Sequence, residues 1–264
     1  MQPRDNRATV RRRADYRPPA FLVDRIALEF VLDPDATRVT STLTFRRNPD
    51  ADPRGRDAPL ALDGEGLAEV AVELDGVPLP NTRIVQSPGR LSVADLPGAG
   101  TLTVHTRIAP TRNSALEGLY VSSGVFCTQC EPEGFRRITW FPDRPDILAT
   151  YTVTIRADRA RYPVLLSNGN LVDAGEIAGD QHYAVWHDPF PKPSYLFALV
   201  AGDLAALEDT FTTRSGRPVH LAIYSTPKNL PRCRHAMEAL QASMRWDEER
   251  FGREYDLDRF MIFC

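Results

Sequence analysis

Lysine is almost missing from this chain. Of its 264 residues only Lys192 and Lys228 are lysines, so nearly all cations are arginines, and their spread along the whole sequence reflects composition rather than a binding patch. The 32 basic residues face 35 acidic ones, for a formal net charge of -3. With no positive excess there is no field to hold a nucleic-acid backbone or an anionic membrane. Long apolar runs are missing as well. The longest, Tyr195 to Ala201, falls far short of the ~18 residues that span a bilayer, and the N-terminus lacks the ~7 to 15 apolar residues of a secretion signal. Cysteine is scarce: Cys127, Cys130, Cys233 and Cys264 are too few to build a disulfide scaffold, and a reducing cytoplasm is their simplest setting. The triplet Arg11 to Arg13 reads as a solvated terminus rather than a nucleic-acid arm.

Helical periodicity is also rare, and proline is not: 22 prolines exceed the usual ~5% and favour strands and loops over helices. From Asp24 to about Gly202 the dominant period is two. Ile26, Leu28, Phe30 and Leu32 alternate with neighbours of the other face, as do Val39, Leu43 and Phe45, then Val70, Val72 and Leu74, then Leu102, Val104 and Ile108, then Tyr151, Val153 and Ile155. Each such segment has one apolar face to bury, which predicts a strand. Asp33-Pro34, Asp63-Gly64, Asp75-Gly76, Pro97-Gly98, Ser167-Asn168-Gly169 and Asp188-Pro189 punctuate them as turns. Short strands separated by turns, without intervening helices, predict a mainly β chain built as an antiparallel sandwich or saddle.

The texture changes after Gly202. Strands are expected at Thr210 to Arg214 and Val219 to Tyr224, followed by one helix from Pro231 to Phe251 that places Met237, Leu240, Met244 and Phe251 on one face and stops at Gly252. Charges Asp247 to Arg250 then face water or a neighbour. Phe260 to Cys264 reads as a buried strand with no turn or polar tail after it, so the chain is expected to be a fragment whose C-terminal part is missing. Residues from Leu204 onward, with Met237, Met244, Phe260, Ile262 and Phe263, are expected to want partners elsewhere and to be loose.

The densest cluster of chemistry is Cys127-Thr-Gln-Cys-Glu-Pro-Glu-Gly-Phe-Arg-Arg137. Pro132 biases Glu131 toward extended backbone, so Gln129, Glu131 and Glu133 are expected on one side at intervals of roughly 6 to 7 Å. An amide and two carboxylates placed so suit a cation that carries several N–H donors. The plainer possibility is a polar loop in which Arg136 or Arg137 neutralises Glu133. Cys127-x-x-Cys130 has no second CxxC or HxxxH to complete four zinc ligands and no βαβ context for redox work, so both thiols read as packing groups. His105, His182, His187, His220 and His235 frame no HExxH, and His235 with Glu238 is an ordinary helix-surface pair. The glycines of Asp63-Gly64-Glu65-Gly66 and Pro97-Gly98-Ala99-Gly100 sit in turns between strands, with neither a nucleophile elbow nor a phosphate loop.

Several longer blocks add to this. Asn113 to Tyr120, Cys127 to Arg137 with Asp143-Arg-Pro-Asp146, Leu166 to Asn170, Asp188 to Asp203 and Trp246 to Asp258, in that order, resemble the bacterial aminopeptidase N family, the gluzincin zinc metalloaminopeptidases of the membrane alanyl aminopeptidase type. The resemblance runs from about Tyr16 to Ile262. It implies a saddle-shaped β-sandwich domain at 1–203 and, at 204–264, the truncated start of a thermolysin-like α+β catalytic domain. The family's GxMEN segment and its HExxH zinc site would both lie beyond Cys264, so the chain has no zinc ligands or catalytic residues of its own and is expected to be inactive alone. Its partners would be the remaining domains and peptides bearing a free N-terminus. The resemblance assigns Glu131 to the substrate's α-ammonium and Gln129, with Glu131, to the first specificity pocket; it gives Glu133 and the cysteines no role. Two alternatives share the fold: a non-catalytic interaction module, and the epoxide-hydrolase branch, which resembles QCQ where this chain has Gln129-Cys130-Glu131.

Overall fold

Alternating apolar residues pay off only where one face of a strand meets a second layer, and this chain supplies both layers. The computed structural model describes residues 12–52 and 58–264; Arg11 lies outside them, and Arg12 and Arg13 are exposed. The strands in chain order are β1 (Phe21–Val31), β2 (Thr37–Arg47), β3 (Leu60–Asp63), β4 (Ala68–Leu74), β5 (Val77–Pro78), β6 (Ile84–Ser87), β7 (Arg90–Val93), β8 (Ala99–Ile108), β9 (Gly118–Ser122), β10 (Val125–Gln129), β11 (Ala149–Asp158), β12 (Val164–Ser167), β13 (Asn170–Ile177), β14 (Gln181–Lys192) and β15 (Leu199–Gly202). After these come β16 (Ala205–Thr212), β17 (Pro218–Ser225), the helix α1 (Arg234–Phe251) and β18 (Arg259–Phe263).

An eight-stranded sheet in the order β13-β14-β11-β1-β2-β8-β4-β5 forms one layer. Its inner face meets two small sheets, β12-β15-β10-β9 and β3-β7-β6, over one continuous apolar core from Phe21 to Ala201. The period read from the sequence is the burial pattern: Ile26, Leu28 and Phe30 of β1, Leu43 and Phe45 of β2, and Val153 and Ile155 of β11 are all sealed. The β1–β2 register shifts between Val23 and Arg25. That bulge lets Phe21 and Val23 point inward along with Ile26, although their spacing breaks the alternation. One pairing departs from the antiparallel expectation: β1 runs parallel to β11, with Arg25 opposite Thr150, because the long excursion through β2 to β10 returns the chain to the sheet in the same direction.

One of the two lysines is part of this interior. Lys192, at the end of β14, is only 8% exposed. Its ammonium lies 2.9 Å from an Asp188 carboxylate oxygen and 3.8 Å above the centre of the Tyr151 ring. Burial pushes its pKa down, against the opposing pull of Asp188.

Sheet membership changes between Gly202 and Ala205. Residues from there on form a separate three-stranded sheet, β16-β17-β18, with β17 in the centre and paired in parallel with β18. This region buries its own small core of Phe211, Val219, Leu221, Ile223, Met237, Leu240 and Met244, which corrects the expectation that Met237 and Met244 await partners elsewhere. The first strand runs Ala205–Thr212 rather than Thr210 to Arg214, since Thr213 and Arg217 close the hairpin to β17 by a backbone hydrogen bond. The helix proper begins at Arg234 after a 3-10 turn at Leu230–Cys233, and Gly252 ends it at φ 65°, a conformation that suits glycine. Phe251 does not join the buried face: it is 61% exposed and packs edge-on against Trp246. Glu248, four residues after Met244, takes the inward position and accepts a hydrogen bond from the Arg214 backbone N–H at 3.2 Å. The last strand is a half-buried edge rather than a buried one, with Phe263 39% exposed. Asn170 and Asp258 join the two regions reciprocally: the Asn170 amide donates to the Asp258 carboxylate at 3.0 Å, and the Asp258 backbone N–H donates to the Asn170 carbonyl at 2.9 Å.

Candidate functional site

The segment Cys127 to Arg137 leaves β10 at the rim of the sandwich, where Gln129 is the last residue paired with β9, opposite Gly118. It does not stay extended as Pro132 led one to expect. The Glu131–Pro132 peptide bond is cis and residues 131–134 form a turn, closed by a hydrogen bond from the Gly134 N–H to the Cys130 carbonyl at 2.8 Å. Only glycine fits the closing position. A Cβ on residue 134 would stand 2.3 Å from the Gln129 carbonyl oxygen and 2.9 Å from the Gly118 nitrogen, inside any tolerable contact.

The turn keeps Gln129, Glu131 and Glu133 at one open cleft of about 600 Å³, lined also by Pro132, Asp143, Pro145 and Tyr195. Gln129, Glu131 and Glu133 are exposed, and the Gln129 amide donates to the Glu131 backbone carbonyl at 3.2 Å. The two glutamates differ in one respect. Glu133 is ion-paired with Arg136 at 3.4 Å, as the plainer sequence reading had it. Among the described residues no cation pairs with Glu131. Arg137 turns the other way, to Glu65 at 2.7 Å and Glu117 at 3.0 Å.

Beneath the turn lies a polar node that the local sequence did not mark. Asp143, with a side chain 1% exposed, accepts hydrogen bonds on Oδ2 from the Arg136 backbone N–H at 3.2 Å and the Arg136 Nε at 3.0 Å. Its other oxygen, Oδ1, accepts from the Ser194 hydroxyl at 2.5 Å. Burial alone would lower the Arg136 pKa; the hydrogen bond and charge of Asp143, with Glu133 and Asp63 behind it, outweigh this and raise it. Asp63 accepts from the Asp143 N–H at 3.2 Å, and burial pushes its carboxyl pKa up despite Arg136 and Arg90. Rings complete the floor: Phe135 meets Phe197 at 5.4 Å and Phe141 at 5.2 Å, both edge-on. Asp143 and Tyr195 stand in two of the sequence blocks that carried the family resemblance, which was the only signal available for them.

The cysteines are free. Cys127 and Cys130 are buried, and burial raises both thiol pKa values, which leaves them as protonated packing groups. Among the described residues no group of three or more His, Cys, Asp or Glu side chains is placed to hold a metal ion, so the zinc that the family resemblance implies does not fit the residues present. The histidines of the strands bond locally instead, His182 to the Tyr162 carbonyl and His187 to Thr152. Among the described residues no helix is long and apolar enough to cross a membrane.

Residues 85–196 match the Peptidase M1 N-terminal domain. Aminopeptidase N of Caulobacter vibrioides is 51% identical over 249 residues, which is 94% of this chain and 28% of that protein. Aminopeptidase N of Escherichia coli is 50% identical over 95% of the chain and 28% of its own length. In structure, the aminopeptidase A of Legionella pneumophila, solved with aspartic acid, superposes with a TM-score of 0.89 at 35% identity, covering 95% of this chain and 29% of that one. The chain therefore spans between a quarter and a third of the length of these relatives. Residues 85–196 thus resemble the Peptidase M1 N-terminal domain, and the Caulobacter and Escherichia relatives, which align with nearly all of this chain, are both aminopeptidases N.

Proposed function

We propose that this chain is the substrate-amine-recognising part of a zinc-dependent, cytoplasmic aminopeptidase that releases residues from peptide N-termini, with 1–203 as its sandwich domain and 204–264 as the start of a thermolysin-like catalytic domain. The observation that carries this reading is the contrast within one turn: Glu133 is held by Arg136, whereas Glu131 points an exposed carboxylate, with no cation beside it among the described residues, into a cleft of about 600 Å³. An α-amino group has a pKa of about 7.7 to 8.0 and is mostly protonated at pH 7. A carboxylate that accepts from it gains roughly 1.5 to 3 kcal/mol. Glu131 would then fix the amine and so the register of cleavage, while Gln129 borders the first side chain of the peptide. Residues to hold zinc belong, in this reading, to another part of the polypeptide, and the residues described here act on the amine end of the substrate alone.

Glu131→Gln in the full polypeptide tests this. The substitution preserves shape and hydrogen bonding but removes charge, so kcat/KM for an alanyl chromogenic substrate is expected to fall at least ~10-fold, at ~1.4 kcal/mol per factor of ten. Glu133→Gln, already engaged by Arg136, is expected to change it less than ~3-fold. Unchanged activity of Glu131→Gln, with thermal melts confirming the fold, would remove Glu131 from the site.

A further inference from the structure

The cleft has two walls that come from distant parts of the chain, and one buried carboxylate holds both. The turn at 131–134 runs directly into Phe135–Arg137 and forms the first wall; the 3-10 turn Ser194–Leu196, which carries Tyr195, forms the second. Asp143 gives Oδ2 to the Arg136 side of the first wall and Oδ1 to Ser194 of the second. Arg136 in turn reaches Glu133 in the turn itself. Below the node, Phe135 of the first wall and Phe197, just past the second, meet edge-on at 5.4 Å. The rings fix how deep the two walls sit, but an edge-on pair has no directional bond to set the position of the polar atoms above it.

From this arrangement we propose that Asp143 is a positioning residue for the amine cleft, setting the separation of Glu131 from Tyr195 by dividing its two oxygens between the walls. The inference rests on the reading of Glu131 as the amine anchor. With its side chain 1% exposed, Asp143 has both carboxylate oxygens engaged by Arg136 and Ser194 and acts on the cleft through them. Asn at this position would keep the volume but lose the charge: with its carbonyl accepting from Arg136, its NH₂ would donate to the Ser194 hydroxyl, so the charge-assisted bonds to both walls become weaker ones to neutral acceptors. Both walls would then be held less firmly, the first by the Asp143 backbone carbonyl, which accepts from the Arg136 Nη2 at 3.2 Å, and by a weakened side-chain bond, so that the turn carrying Glu131 or the residue beside it could shift. A displacement of about an ångström is enough to cost a positioned charge most of its advantage.

The test separates positioning from general damage by the amine itself. In the full polypeptide, inhibition constants are measured for L-phenylalanine hydroxamate and for 3-phenylpropanehydroxamate, which differ only in the α-amino group. Asp143→Asn is expected to reduce the preference for the amine-bearing compound ~10-fold, and Ser194→Ala, which releases one wall only, ~3-fold, with KM for an alanyl substrate rising more than kcat falls. Damage to the fold would weaken both compounds alike. Should Asp143→Asn fail to fold, Ser194→Ala decides: an unchanged preference overturns the proposal and a reduced one supports it. If Glu131→Gln abolishes the preference while folded Asp143→Asn retains it, positioning by Asp143 is wrong and the anchor stands. If Glu131→Gln itself retains the preference, the anchor is wrong and this inference falls with it.

Discussion

The sandwich and the region after Gly202 bury their apolar residues in different ways. The first closes an eight-stranded sheet on two smaller ones, so that Phe30, Leu43, Leu102, Ile155 and Leu199 are sealed from solvent on every side. The second lays one helix on three strands: Met237, Leu240 and Met244 remain 5 to 7% exposed, and Phe260 and Ile262 are only half-buried. A sheet covered by a whole second layer is a finished core, whereas a sheet with an open edge strand and one helix is a partial one. The candidate cleft sits on the finished side, which gives its turn a rigid base.

The strongest way to break this contrast is to open each core. Leu43→Ala in the sandwich and Leu240→Ala on α1 remove the same atoms, and costs of about 4 and about 2 kcal/mol are expected within the ~2 to 5 kcal/mol range for such truncations. Urea denaturation of the two variants gives both numbers, and equal costs would erase the distinction. A smaller effect is expected at the junction. Asn170→Ala removes both hydrogen bonds to Asp258, worth about 1 kcal/mol at an exposed site. Amide exchange should quicken in β16–β18 and stay unchanged in β1, β2 and β11; quickening throughout would mean that the two regions open as one. The smallest effect sharpens the picture within the sandwich, at its N-terminal rim. There Asp146 accepts from Arg144 at 2.8 Å and from the Tyr16 hydroxyl at 2.9 Å. The Arg144 hydrogen bond, more than any other influence, holds its pKa below the ordinary carboxylate value. Its stabilisation is therefore complete above pH ~3.9 and is lost as pH falls through the lower folded value. Melting temperatures from pH 5 to pH 2 should fall more steeply in wild type than in Asp146→Asn; parallel curves would show that this contact adds nothing.

The strands were legible because their period is local. Ile26, Leu28 and Phe30 announce β1 within five positions, and burial follows them. The parallel pairing of Arg25 with Thr150 was not legible, since nothing in either segment names a partner so far along the chain. The helix shows the same limit: Met237, Leu240 and Met244 predicted its face, but Phe251 lies at the end of the last turn and found Trp246, while Glu248 was drawn inward by the Arg214 backbone N–H. At the cleft, Gln129, Glu131 and Glu133 could be grouped from spacing. Their backbone could not, because Gly134 closes a turn that the bias of Pro132 toward extended structure concealed. Asp143 and Tyr195 approach from other segments altogether, and only the fold brings them to the site.

The near-absence of lysine has a practical side. Lys192 is buried against Asp188 and Tyr151, while Lys228 stands exposed in the loop that precedes α1. A folded chain thus offers an amine-reactive reagent a single ε-amino group, and it lies in the region after Gly202, not on the sandwich. One dye or cross-linker added at that point would report on the smaller region while leaving the cleft chemically untouched. Loss of that selectivity, with Lys192 becoming modified, would mark the moment the sandwich itself comes apart.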